Sequence, residues 1–352
     1  MRFLEALESL ERGERSPEAV ARLLAADERE AGELFARADA AREKFVGKAT
    51  CVHGVLEFSN WCRNNCLYCG IRRESRVRRY RMKAEDIIEH VVWAVKELGY
   101  KMVVLQSGED PSYDIGTLCD IAHGIKKRCN VILFYSIGDR SESEYAELKR
   151  AGAAGVLYRF ETTARALFEK MRPGTSFDRR IEHLKFMRRL RYLIATGFMI
   201  GLPGQSIGGL ARDVLALGEF GANMVSVGPF VPSPPTPLAG ERGGDVGLAL
   251  RTIAVARLLY KRVRIPVTTA FETLDAGARR KALFAGANSL MINITPREYS
   301  ADYAIYPNRF GAQEDIERLT GEALAFVERI GRRVCRGYAK DLMPKFAAPV
   351  CA

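Results

Sequence analysis

From residue 51 onward, short apolar runs alternate with amphipathic stretches eight times over. The pattern predicts strands near 51–58, 101–107, 131–137, 154–160, 194–200, 222–228, 265–270 and 288–292. It predicts helices near 84–98, 114–128, 141–151, 178–191, 207–219, 246–260, 275–285 and 313–331. Strands separated by helices of this length are parallel, because a parallel pair needs a long crossover between its members. Eight such units predict an α/β fold, a complete (β/α)8 barrel, and the strand count disfavours an open doubly wound sheet. Upstream, Leu4, Leu7 and Leu10, then Val20, Leu23 and Leu24, then Leu34, Phe35 and Ala38 recur at helical spacing. Ser16-Pro17-Glu18 reads as a helix start. The expected organisation is an N-terminal helical extension over 1–48, a barrel with C-terminal helices over 49–340, and a tail over 341–352.

Composition narrows the class. With 352 residues and 47% apolar side chains the chain can bury a large core. It has no apolar run long enough for a membrane span, and its amphipathic N-terminus lacks a signal peptide's apolar stretch. Of the eight cysteines only Cys62, Cys66 and Cys69 cluster; Cys51, Cys119, Cys129, Cys335 and Cys351 are scattered. That usage suits a reducing cytoplasm rather than a disulfide framework. The net charge is +11. Its arginines are dispersed among acids, as in Arg72-Arg73-Glu74-Ser75-Arg76, and read as a basic surface. The charge is the one feature favouring an RNA-binding protein with a structural cluster, and nucleic acid is not the expected partner.

The run Cys62-x3-Cys66-x2-Cys69, with Tyr68 before the last cysteine, carries the chemistry. Structural zinc takes four ligands, and the nearest histidines are His53 on a predicted strand and His90 in a predicted helix. A loop this short can wrap three thiolates around one corner of a cubane. Iron–sulfur clusters ordinarily take four, so three leave one iron for another ligand.

Other candidates follow the predicted strands, where barrel enzymes gather their sites. After strand two, Gly108 permits close backbone approach and Glu109 offers an acceptor for an ammonium group; the bland reading is a turn with a surface acid. Arg159 and Glu161 lie on one side of strand four and form either a ligand clamp or a structural ion pair. Arg180 is a second clamp for a carboxylate. Met199 and Gly201 in Gly197-Phe198-Met199-Ile200-Gly201-Leu202, with Tyr68, suit the flat face of an adenine. Met224 and Met291 near the ends of strands six and eight are as often core filler as ligand contacts. One of Thr268 and Thr269 faces inward. His53 is more often a hydrogen-bonded core histidine than a ligand, and Tyr135 is equally a packing residue.

Together these segments resemble a known family. They are Glu57-Phe58-Ser59-Asn60 before the cysteines, Tyr80-Arg81-Met82, Leu105-Gln106-Ser107-Gly108-Glu109-Asp110-Pro111, Arg172-Pro173-x-Thr175-Ser176-Phe177, Gly201-Leu202-Pro203-Gly204-Gln205, Val227-Gly228-Pro229-Phe230 and Thr268-Thr269-Ala270. In that order they resemble the HydE family of radical S-adenosylmethionine (SAM) enzymes, the [FeFe]-hydrogenase maturases related to methylornithine synthase and biotin synthase. The resemblance implies a barrel of radical SAM type with one [4Fe–4S] cluster on Cys62, Cys66 and Cys69. It implies SAM held by Tyr68, Ser107, Gly108, Glu109, Ser136, Arg159, Glu161, Arg180, Met199, Gly201, Leu202 and Met224. The substrate would meet His53, Tyr135, Thr268, Thr269, Met291 and Tyr306. The family's substrate is a cysteine-bound Fe(CO)2(CN) unit; a paralogue acting on an amino acid or other small molecule is the alternative. An electron donor such as ferredoxin or flavodoxin, and other maturases, are the implied partners. The chain departs from the family at three places expected to line the cavity: His53 for an arginine, Phe134-Tyr135 for a Thr-Leu pair, and Phe271-Glu272 for small or flexible residues. No cysteine follows Tyr303-Ala304-Ile305-Tyr306-Pro307 before Cys335, so a second cluster is not expected.

Overall fold

The computed structural model describes residues 1–335, so the 341–352 tail with Cys351 lies outside the described residues. Three helices open the chain: α1 (Phe3–Arg12), α2 (Pro17–Leu24) and α3 (Glu28–Val46). Each start has a physical reason. Ser16 accepts from the Ala19 amide ahead of Pro17, and Asp27 and Glu30 satisfy one another's backbone N–H groups as a capping box. α2 and α3 pack against the outer helices Ile207–Glu219 and Val246–Leu259. The latter is buried on nearly every face as a result, from Ala249 to Leu258.

The strands are β1 (Ala49–Ser59), β2 (Met102–Ser107), β3 (Ile132–Ser136), β4 (Gly155–Leu157), β5 (Leu193–Thr196), β6 (Met199–Ile200), β7 (Met224–Val225), β8 (Gly228–Pro229), β9 (Pro266–Val267), β10 (Ser289–Asn293) and β11 (Arg333–Val334). Every pairing within the barrel is parallel, in the order β7-β5-β4-β3-β2-β1-β10-β9. A parallel bridge between Met224 and Arg264 joins the two ends, so the ring closes. β6 and β8 continue β5 and β7 beyond a break and pair with each other. At that break a Cβ on Gly197 would lie 1.9 Å from the Ser226 carbonyl oxygen, so the two chains approach only because residue 197 is glycine.

Two expectations shift. The strand predicted over 265–270 ends at Val267, and Thr269–Leu274 turns into a short helix. The helix Arg165–Met171 and β11, which pairs beside the start of β1, have no counterpart in the periodicity. No helix among the described residues is long and apolar enough to cross a membrane.

Register decides which side chains enter the barrel. Val55 pairs with Val104, Val104 with Phe134 and Phe134 with Gly155, and partners in a parallel ladder share a face. The inward set in the lower barrel is apolar: Cys51, Met102, Val104, Ile132, Phe134, Leu193, Ala195 and Met224 form one packed cluster. Gly155 makes room for it, since a Cβ there would stand 2.4 Å from the Phe134 ring. The larger core lies outside the ring, between strands and helices.

Candidate active site

Above the apolar layer the barrel interior opens into a cavity of about 350 Å³. Cys62, Cys66 and Cys69 stand on its wall. Their loop is held by buried polar groups rather than by regular structure. Asn60 donates to the carbonyls of Arg78 and Asp302 and accepts from the Tyr80 amide. The Arg79 guanidinium donates to the carbonyls of Asn60, Ile71, Arg72 and Ser75. The Glu109 amide points at Cys62 Sγ from 3.4 Å. Gly108 passes so close to Trp61 that a Cβ would lie 2.1 Å from its carbonyl oxygen. Burial, with the nearby Cys66 and Cys62 sulfurs, pushes the Cys69 thiol far above its ordinary range, and burial raises Cys62. Three thiols on one short loop, with no carboxylate or histidine among them, suit an iron core that would take them as thiolates. The residues present therefore fit a [4Fe–4S] cluster with one iron unligated by this loop.

Along the wall from the cysteines lie the other polar candidates. Ser107, Gly108, Glu109 and Ser136 line the cavity. The Glu109 carboxylate is already engaged, accepting from Arg63 Nε at 2.6 Å and Asn64 Nδ2 at 2.8 Å. Arg159 and Glu161 both line the cavity, with Arg159 Nη2 3.1 Å from Glu161 Oε2. That approach lacks hydrogen-bond alignment, so both buried atoms keep unused capacity. Glu161 also sits at a φ of 65°, a left-handed conformation costly for a residue with a Cβ. Arg180 lies 3.9 Å from the centre of the Tyr158 ring and 3.5 Å from Asp139 Oδ1. Burial opposes ionisation of Asp139, but Arg180 and the Tyr158 hydroxyl outweigh it and hold the carboxyl below its usual range. Tyr68 and Met199 complete this side.

The deeper wall carries Thr268, Thr269, Met291 and Tyr306, and the Thr269 and Tyr306 hydroxyls are 2.7 Å apart. Three residues that sequence reasoning did not single out as ligands also stand here. Glu57 and Arg309 form a bidentate, fully buried ion pair. Burial pushes the Glu57 carboxyl above its usual range, with Arg309 opposing. Arg172 reaches the Tyr68 hydroxyl at 3.1 Å, leaving its buried Nε unpartnered. Arg172 and Glu57 fall within segments of the family pattern; Arg309, 252 positions from its partner, carries no sequence signal.

Five candidates do not reach the cavity. Ser136 faces inward, so Tyr135 faces outward; its hydroxyl donates to the Leu118 carbonyl in an outer helix. Met224 faces inward but one layer too low, in the apolar cluster, and Ser226 holds the corresponding place on the wall. Gly201, at φ +85°, lets Gly244 approach: a Cβ would lie 2.5 Å from its Cα. Leu202 packs with Met171, Phe230 and Leu238 behind the wall. His53 is buried beneath the floor, its pKa driven well down by burial and by Arg264, and neither ring nitrogen has a partner. Phe271 and Glu272 also turn away, Phe271 into the core and Glu272 to Arg279 at 2.7 Å. The added bulk expected in the cavity is therefore absent from its wall.

The sequence signature of the radical SAM superfamily matches residues 56–217. The chain is 41% identical over 336 residues to the [FeFe] hydrogenase maturase subunit HydE of Thermotoga maritima, covering 95% of this chain and 96% of that one. It is 27% identical over 299 residues to 3-methylornithine synthase of Methanosarcina barkeri, covering 84% and 83%. Its fold is that of the crystal structure of methylornithine synthase, with a TM-score of 0.84 and 23% identity over 97% of this chain and 99% of the other. It also matches the [FeFe]-hydrogenase maturase HydG, with a TM-score of 0.82 and 20% identity over 97% of this chain and 78% of that one. A cysteine triplet at the mouth of a closed barrel and near-full-length identity to HydE lead to one assignment: the chain belongs to the HydE family of the radical SAM superfamily, and is a SAM-dependent iron–sulfur enzyme.

Proposed function

We propose that this enzyme is a hydrogenase maturase that carries a single [4Fe–4S] cluster on Cys62, Cys66 and Cys69 and acts on a cysteine-bound organometallic iron unit or a similar small thiol. The observation that carries the reading is the wall of the cavity: the five residues where the chain departs from its family, His53, Phe134, Tyr135, Phe271 and Glu272, all lie off it. The cluster, when bound, supplies the electron that breaks the C5′–S bond of SAM and yields the 5′-deoxyadenosyl radical.

The chain's own groups divide the remaining work. Arg180 and Arg159 offer guanidinium groups to the carboxylate of SAM, and Glu161 offers acceptor atoms to its ribose hydroxyls or amine. Ser107 and Ser136 supply hydroxyls beside them. Met199 and Tyr68 present flat apolar surface to the adenine. Deeper in, Thr268, Thr269, Tyr306 and Met291 face the substrate. The packed layer beneath excludes water from below, which protects a radical from quenching.

A second reading has its own support. Two pairs of opposite charge, Arg159–Glu161 and Glu57–Arg309, line the cavity. Such a lining also suits the ammonium and carboxylate of a free amino acid. The deciding experiment measures 5′-deoxyadenosine formation by the anaerobically reconstituted, reduced enzyme with SAM, with and without the cysteine-bound Fe(CO)2(CN) compound. Stimulation by that compound supports the maturase. Slow cleavage indifferent to it, with stimulation by a basic amino acid, supports the second reading.

A further inference from the structure

The positive charge of this chain is unevenly placed. Residues 60–83, which hold the cysteine loop and its return to the barrel, contain eight arginines and lysines against one acid, Glu74. They account for most of the net +11. Arg79 is turned inward to carbonyl groups. Arg63, Arg78 and Arg81 reach the surface and pair with carboxylates more buried than themselves. Side-chain exposures are 49% against 8% for Arg63–Glu109, 73% against 18% for Arg78–Asp302, and 37% against 0% for Arg81–Asp110. A molecule approaching from solvent meets the guanidinium of each pair first. Arg73 and Arg76 are exposed, and among the described residues only Glu74, 3.9 Å from Arg73, answers them.

Within this basic rim stands Trp61, 42% exposed and directly preceding Cys62. Arg81 lies 4.4 Å and Arg79 5.8 Å from its ring centre. Exposed tryptophan framed by arginine is the composition that dominates binding energy at protein interfaces. Residues 170–191 carry a similar excess of arginine and lysine, but only the 60–83 stretch coincides with the loop that holds the cysteines.

We propose that this face is the docking site of a small acidic one-electron carrier protein, seated on Trp61 and steered by Arg73, Arg76, Arg78 and Arg81. The carrier is oxidised by one electron. That electron ends in the cleaved C5′–S bond of SAM, giving methionine and the 5′-deoxyadenosyl radical. Charge complementarity favours an acidic protein, and the peptide bond between Trp61 and Cys62 places the carrier beside the cysteine loop. An RNA would use the arginines but has no reason to sit at that loop. The proposal rests on SAM cleavage at the cysteine triplet.

The test uses the reconstituted holoenzyme and two reductants, reduced flavodoxin and dithionite. Doubly reversing the charge with Arg73→Glu and Arg76→Glu, neither in the cavity, should slow flavodoxin-driven 5′-deoxyadenosine formation by about tenfold or more at low ionic strength. The dithionite-driven rate should stay within about twofold. The wild-type flavodoxin rate should also fall as salt rises. Trp61→Leu should weaken the flavodoxin reaction alone. Equal loss with both reductants would mean damage to the loop and overturn the docking assignment, as would an unchanged flavodoxin rate. Loss of RNA retardation with an intact flavodoxin rate would make the patch a nucleic-acid surface. Failure of dithionite itself to drive cleavage by the wild type would instead overturn the reaction on which the proposal rests.

Discussion

The two halves of the barrel interior are built from the same strands and have opposite contents. The lower half, toward the strand starts, holds Met102, Val104, Phe134, Ala195 and Met224, all fully buried and apolar. The upper half holds Glu57, Gln106, Ser136, Arg159 and Thr268, most on the same strands and on the same inward parity. The lower layer gains its stability from close packing, which penalises any lost volume. The upper layer carries unpaired polar capacity on Arg159, Glu161, Arg172 and Asn293, whereas below the floor the unpartnered groups include His53 and Ser289, shut in among apolar side chains. Stability and chemistry are thus separated along the barrel axis rather than around it.

Substitutions can break or sharpen that division. The largest effect is expected at the mouth: Cys66→Ala should abolish the cubane signal and SAM cleavage while the fold persists by circular dichroism. A retained signal would refute the ligand assignment. Below the floor, Phe134→Ala should cost about 3–5 kcal/mol of stability in thermal or denaturant unfolding, yet leave SAM cleavage per folded molecule unchanged. At the wall, Arg309→Met strands the buried Glu57 carboxylate. It should cost about 3–5 kcal/mol and also alter substrate-stimulated turnover, which Phe134→Ala should not. Thr269→Val removes one partner of the Tyr306 hydroxyl and should cost about 1 kcal/mol, with its main readout in the substrate-dependent rate.

The smallest effect is one of pH. The Asp139 carboxyl is held below its ordinary value in the folded chain. Its ionised form therefore contributes stability that is complete above about pH 4, the unfolded value, and is lost as pH falls through the lower folded value. The stability difference between wild type and Asp139→Asn should be largest near neutral pH and shrink on acidification. A difference that grows in acid would contradict the role of Arg180 in holding Asp139 ionised.

The alternation of strands and helices was legible because each barrel strand needs an apolar run and each crossover an amphipathic one. What the sequence concealed was depth and parity. Ile132-Leu133-Phe134-Tyr135-Ser136 is almost wholly apolar, because one face packs on helices and the other on the barrel interior. No alternation marks which face Tyr135 takes. Taking Ser136 as inward already requires Tyr135 to point out, a constraint that the two assignments together violated. Met224 has the correct parity and the wrong height, since nothing local records how far along a strand the packed layer ends. The cysteine triplet was readable because its three residues lie within one loop. Arg309 and Glu57 were not, because their meeting depends on the whole ring closing.

The closed ring with its packed floor makes the enzyme a well rather than a corridor. The hydroxyls and Met291 stand near the bottom, and the cysteine loop at the rim. Whatever binds at depth must arrive before the molecule that sits above it, and cannot depart until that molecule has gone. A vessel of this shape makes a stack the expected arrangement, loaded in one order and unloaded in the reverse, with the order set by depth.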